Sequence, residues 1–132
     1  MFLYKFYNFQ SGYIALSSIL VIGAAVTAII LSTALVSISE GQSALSAAKK
    51  EAALNLTEGC VEEALLKINQ TNSLPDPVIL PDGNCDTEII SQVGESWNFT
   101  VSANLAGYGQ KFSVQATRGA EMGLDSWQEV VP

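Results

Sequence analysis

The sequence predicts an α+β chain: one long N-terminal helix, half suited to a membrane and half amphipathic, packed on a small antiparallel β-sheet. Three observations predict it. No charged residue falls between Lys5 and Glu40, so that stretch can lie in hydrocarbon. From Glu40 the same register carries on as an amphipathic pattern to about Asn69, with no proline before Pro75. Beyond the prolines, two alternating apolar runs flank a short Gly-containing turn. A continuous helix of roughly fifty-five residues would measure about 80 Å at 1.5 Å per residue.

Residues 1–12 (MFLYKFYNFQSG) are short, aromatic and carry one positive charge, Lys5. A secretory signal sets a small-residue cut site after its apolar run. Here the small residue, Gly12, comes before the run, so a cut after it would leave the hydrophobic helix on the mature chain. The alternative is an uncleaved signal anchor, held with its N-terminus in the cytoplasm by Lys5. Both readings put the head outside.

Residues 13–39 form the membrane half. From Tyr13 to Ile38 is roughly 26 residues, enough to span about 30 Å of hydrocarbon with some tilt. Small side chains are dense here: Ala15, Ser17, Ser18, Gly23, Ala24, Ala25, Ala28, Ser32, Ala34 and Ser37. In lipid, apolar burial gives helices little drive to associate, and small residues allow the close approach that replaces it. An Ala-rich solitary anchor is the blander reading.

Residues 40–70 are the amphipathic half. At 100° per residue from Ala53, the residues Leu56, Thr57, Cys60, Val61, Ala64 and Ile68 share one arc. Glu51, Asn55, Glu58, Glu62 and Asn69 oppose it, Leu66 is an exception, and Lys67 stands at the apolar edge. Cys60 sits in the middle of the arc.

The chain has two cysteines and no histidine. Paired cysteines in an exported acidic domain read as a disulfide, and with two the connectivity is Cys60 to Cys85. Closing a loop of about 25 residues contributes on the order of 3–4 kcal/mol in the chain-entropy model. Two free buried thiols in a cytosolic protein are the alternative.

Residues 71–86 hold Pro75, Pro77, Pro81 and the Asp82-Gly83 turn signal, and read as a loop closed by Cys85. Residues 87–132 read as a β-rich head. TEIISQ (87–92) is a weak strand. WNFTVSANL (97–105) alternates well, with Trp97, Phe99, Val101, Ala103 and Leu105 on one face. Ala106-Gly107-Tyr108-Gly109 reads as a turn, and QKFSVQATR (110–118) presents Phe112, Val114 and Ala116 together. The two runs make an antiparallel hairpin, and LDSWQEVV (124–131) a last strand.

Chemistry is sparse in this pattern. Without histidine, and with no activated Ser or Cys, there is no nucleophile and base pair, so no catalytic, cofactor or metal residues are expected and the chain is not expected to be an enzyme. Asp82, Asn84 and Asp86 could ligate a cation, but a turn beside a disulfide is the commoner explanation. Asn55-Leu56-Thr57 and Asn98-Phe99-Thr100 match the glycosylation triplet and read as structural. Five basic and all thirteen acidic residues follow the leader-proximal Lys5. So acidic a subunit is not expected to bind nucleic acid directly.

Gly12, Tyr13, the run IALSSILVIGAAVTAIILSTAL, Cys60 and Cys85 together resemble the type IV prepilins and pseudopilins. The resemblance covers the N-terminal half well and the head in architecture only. It implies a pilin-like fold and a prepilin leader over residues 1–12. It further implies cleavage by the prepilin peptidase between Gly12 and Tyr13, with N-methylation of Tyr13. Three departures stand out. Ser11 precedes the Gly where Lys or Arg is common, Tyr13 replaces the usual Phe, and Ser17 stands where major pilins carry Glu. That Glu is thought to neutralise the terminal ammonium of a neighbour, and a carboxylate in such a medium costs much unless paired. Certain minor pilins and the tip pseudopilin of type II secretion are similar in lacking it.

The expected function is therefore a structural minor subunit of a type IV pilus or pseudopilus, at the tip or in initiation of assembly. A divergent subunit that still polymerises is the plainer reading of Ser17. Expected partners are other pilin subunits through the helix, the membrane, the prepilin peptidase and the assembly machinery. The chain would lie in the cytoplasmic (inner) membrane, single-pass with its N-terminus inside, and at the cell surface once assembled. The rival is an uncleaved signal-anchored surface protein with a monomeric ligand-binding head.

Overall fold

The computed structural model describes residues 3–131, and side chains from Gly12 onward. The fold is α+β. Helix α1 (Leu3–Thr71) is followed by β1 (Val78–Leu80), β2 (Gly83–Val93), β3 (Ser96–Leu105), β4 (Tyr108–Thr117) and β5 (Gly123–Glu129). The chain divides into two compact units, Met1–Ala44 and Leu45–Pro132, and α1 contributes to both.

In the first unit every described side chain is exposed apart from half-buried Ser17. In the second, α1 lies across a five-stranded sheet in the order β1-β2-β3-β4-β5, with all neighbours antiparallel. Sequential order follows from short connections, since each strand folds back on the one before it.

The helical arc read from the periodicity is the buried one: Ala53, Leu56, Thr57, Cys60, Val61, Ala64 and Ile68 are all enclosed. Opposite them lie Val78, Cys85, Trp97, Phe99, Val101, Phe112 and Val114. Alternation along β3 and β4 explains this, because every second side chain faces the helix. The edge-to-face pair Phe112–Trp127, with ring centroids 5.7 Å apart, extends the core to β5. Gln110 is buried too, in register with Ala103, although its polarity set it outside the apolar pattern.

Helix α1 stops at Thr71 because Asn72 adopts a left-handed φ of 52°. Its amide donates to Ile68 O at 2.9 Å, closing the last turn as C-terminal caps do. Arg118 Nε donates to Asn69 O at 3.2 Å, while its backbone amide donates to Glu95 O at 2.8 Å. One arginine thus satisfies a terminal helix carbonyl and secures the β2–β3 turn.

Several boundaries differ from those read in the sequence. Helix α1 starts at Leu3 rather than Tyr13 and runs two residues past Asn69. The stretch 71–86, read as a loop, carries β1 and the opening of β2. The weak strand at 87–92 is the interior of an 11-residue strand. The turn narrows to Ala106-Gly107, both at positive φ (54° and 86°), because a two-residue turn of that hand matches the twist of its strands. The last strand is Gly123–Glu129.

Candidate functional site

Two features of the chain carry functional weight: the apolar surface of α1 and the seam that holds α1 to the sheet. The described part of the apolar surface runs from Gly12 onward. Tyr13 is 74% exposed, and Ile14, Leu16, Ile19, Leu20, Val21 and Ile22 follow it outward. The segment also contains hydroxyls, which would be costly in hydrocarbon if left unbonded. They are returned to the helix's own backbone. Ser17 Oγ donates to Ile14 O at 3.0 Å and Ser18 Oγ to the same carbonyl at 2.8 Å. Thr27 bonds back to Gly23 and Ala24, Ser32 to Ala28, Thr33 to Ile29, and Ser37 to Thr33. With their polarity absorbed in this way, these small side chains leave an outer surface of methyl and methylene groups. By length and composition α1 can cross a membrane, consistent with a membrane anchor or a signal sequence.

Gly12 and Tyr13 lie within uninterrupted helix, and a side chain at Gly12 would meet nothing within 4 Å. The side chains of Lys5 and Ser11 lie outside the described residues. Among the described residues, Ser17 bonds within its own helix turn, to Ile14.

The seam is built around a disulfide. Cys60 on α1 and Cys85 on β2 are bonded, with Cα atoms 6.3 Å apart, and both are buried. Two glycines let the backbones approach beside it. A Cβ on Gly83 would fall 3.0 Å from Leu56 Cδ2, and one on Gly59 would fall 3.2 Å from Leu80 Cδ1. The β1–β2 hairpin can therefore lie against α1. Thr57 completes the seam: its buried hydroxyl donates to Ala53 O at 2.8 Å, so no polar group is stranded there.

The residues considered for a cation are not gathered. Asn84 and Asp86 line one surface cleft with Lys111, whereas Asp82 lines another with Leu56 and Leu80. Among the described residues no group of three or more Cys, Asp or Glu side chains is placed to hold a metal ion. The two glycosylation triplets also belong to the fold. Thr57 faces the core, and Thr100 is buried in the central strand β3, where Asn98 Oδ1 is enclosed without a partner.

The sequence missed the role of Arg118 and the length of β2. For β2 a signal existed: Cys85, Thr87 and Ile89 alternate with Asp86 and Glu88. For Arg118 there was none, because its partners Asn69 and Glu95 are distant in sequence.

Comparison with family models, with curated proteins and with solved structures returns no match. The architecture itself is pilin-like: a long apolar N-terminal helix packed on a five-stranded antiparallel sheet, with a disulfide.

Proposed function

We propose that this chain is a structural minor subunit of a type IV pilus or related pseudopilus, acting at the filament tip or in initiation of assembly. The observation that carries the proposal is that one helix has two different surfaces. Its N-terminal part is apolar and exposed on every side, and its C-terminal part is buried against the sheet along one arc. A surface that leaves so many large apolar side chains uncovered calls for lipid or other helices. A disulfide-anchored head attached to that same helix is what a filament subunit needs to be pulled from the membrane without losing its fold.

On this reading the subunit is not an enzyme and takes no cofactor. Its partners are other pilin subunits through α1, the membrane, the prepilin peptidase and the assembly machinery. It waits in the inner membrane with its N-terminus inside and ends in a filament at the cell surface. Cleavage falls between Gly12 and Tyr13, and Tyr13 is N-methylated. Ser17, which offers no carboxylate to a neighbouring terminal ammonium, fits a subunit with nothing ahead of it.

The test is mass spectrometry of the protein purified from a strain with an active prepilin peptidase. The expected product begins at Tyr13 with one added methyl group. A chain intact from Met1 would overturn the proposal in favour of a signal-anchored surface protein with a monomeric binding head. The continuity of α1 through Gly12 and Tyr13 is the observation that keeps this second reading in play.

A further inference from the structure

We propose that the free edge of β2 is a strand-addition site for a basic, extended segment of another protein. The inference is independent of the pilus reading.

The sheet has two outer strands, but β1 is short and covers only the start of β2. Its pairs are Val78 with Cys85, Ile79 with Asn84 and Leu80 with Gly83. The next amide that faces this side, that of Thr87, is taken by Asp76 Oδ1 at 3.2 Å, and the Thr87 hydroxyl donates to Pro75 O. From Glu88 to the end of β2 the only strand beside it among the described residues is β3. Hydrogen-bonding directions alternate along a strand. Ile89, two residues after Thr87, therefore aims its N–H and C=O at the open side. An unpaired edge of this kind is a template for an incoming strand.

The side chains along it are those of a pairing strand rather than a protected edge. Ile89 is 48% exposed, Ile90 55% and Val93 77%. Ile89 shares its row with core residue Phe99, yet it remains half uncovered. A neighbouring strand would bury it against that core. The bulge between Ile89 and Ser91 restricts the register in which such a strand can lie. The opposite edge is less suited. On β5, Asp125 is engaged by the Thr117 hydroxyl and Trp127 is half-buried against Phe112, leaving Leu124 as the exposed large apolar side chain of that strand.

Charge selects the occupant. Asp76, Asp86 and Glu88 border the edge, and Glu95 follows the strand, already paired with Arg118 at 3.4 Å. A second copy of this chain is a poor partner. Its Lys49 and Lys50 are in helix, Lys111 is on inner strand β4, and its outer strand β5 carries Asp125 and Glu129. Pairing β5 against β2 would set carboxylate against carboxylate. The fitting partner is a segment in which Lys or Arg alternates with Val, Ile or Thr.

The test uses the full-length chain in a zwitterionic detergent and a fluorescein-labelled peptide of eight residues in which lysine alternates with valine. Anisotropy should report saturable binding. Two comparisons should each weaken it at least tenfold: the same peptide N-methylated on alternate backbone amides, which keeps charge and side chains, and the variant Ile89→Pro, which removes the outward donor. A glutamate–valine peptide should not bind. Absence of binding, or equal binding of the N-methylated peptide, would overturn the proposal, the latter by showing adsorption through charge alone. Equal binding of the glutamate peptide would overturn the choice of a basic occupant. Self-association of the chain that Ile89→Pro abolishes would replace the foreign segment with a second copy. The N-methylated peptide tests the edge on the unaltered protein even where Ile89→Pro disturbs the fold.

Discussion

Thr27 and Thr57 sit on the same helix and make the same bond, each hydroxyl donating to the carbonyl four residues earlier. Thr27 is exposed among apolar neighbours, whereas Thr57 is fully buried. The first bond withdraws a polar group from an exposed apolar surface, and the second withdraws one from a protein core. The two halves of α1 thus share local backbone chemistry and differ in what surrounds them. Helix propensity and back-bonding make the helix, but the pattern of its faces decides which environment each half requires.

The largest test of this difference is truncation of a large side chain in each half. Phe99→Ala opens a cavity in the core that α1 helps to close, and should cost about 3–5 kcal/mol. Leu20→Ala, in the exposed apolar half, should leave head stability within about 0.5 kcal/mol. Urea unfolding followed by tryptophan emission is a clean readout, because both tryptophans, Trp97 and Trp127, lie in the sheet. Comparable losses from both substitutions would break the distinction between the halves.

Next in size is the disulfide. The double variant Cys60→Ala/Cys85→Ala should lose about 3–4 kcal/mol of head stability, from the freedom restored to an unfolded loop of about 25 residues. Its helical content in detergent should persist through the apolar half. Calorimetry measures the first effect and circular dichroism the second. An unchanged unfolding midpoint would mean that burial of the seam alone holds the hairpin to α1.

The smallest effect is expected from the threonines. Thr57→Val exchanges a hydroxyl for a methyl of similar size in a filled site, and should change stability by about 1 kcal/mol or less, since the Ala53 carbonyl keeps its place in the helix. Thr27→Val should not alter head unfolding at all. A large loss at Thr57 in the same urea titration would show that the hydroxyl carries more of the seam than its one bond suggests.

Much of this was legible in the primary structure because the relevant signals are local. The arc from Ala53 to Ile68 needs only the helical period, and the faces of β3 and β4 need only alternation. With two cysteines, one pairing was available. The candidate site was less legible. Gly12, Tyr13 and Ser17 stand out through resemblance, whereas the free edge of β2 is invisible in TEIISQV, since nothing in those residues tells which strand stops short beside them. The hairpin inside the disulfide loop was hidden by its prolines, which argue for a loop and still allow a three-residue edge strand.

What the sequence by itself determined, then, is the long helix with an apolar and an amphipathic half, its buried arc, the cysteine pair and the central hairpin. All are consequences of periodicity or composition, which act between near neighbours. What only the tertiary structure decided is how far each strand runs, where Arg118 bonds, why Gln110 is buried and which sheet edge is left open. Those depend on the meeting of residues far apart in the chain, where backbone hydrogen bonds and packing, rather than local preference, set the outcome.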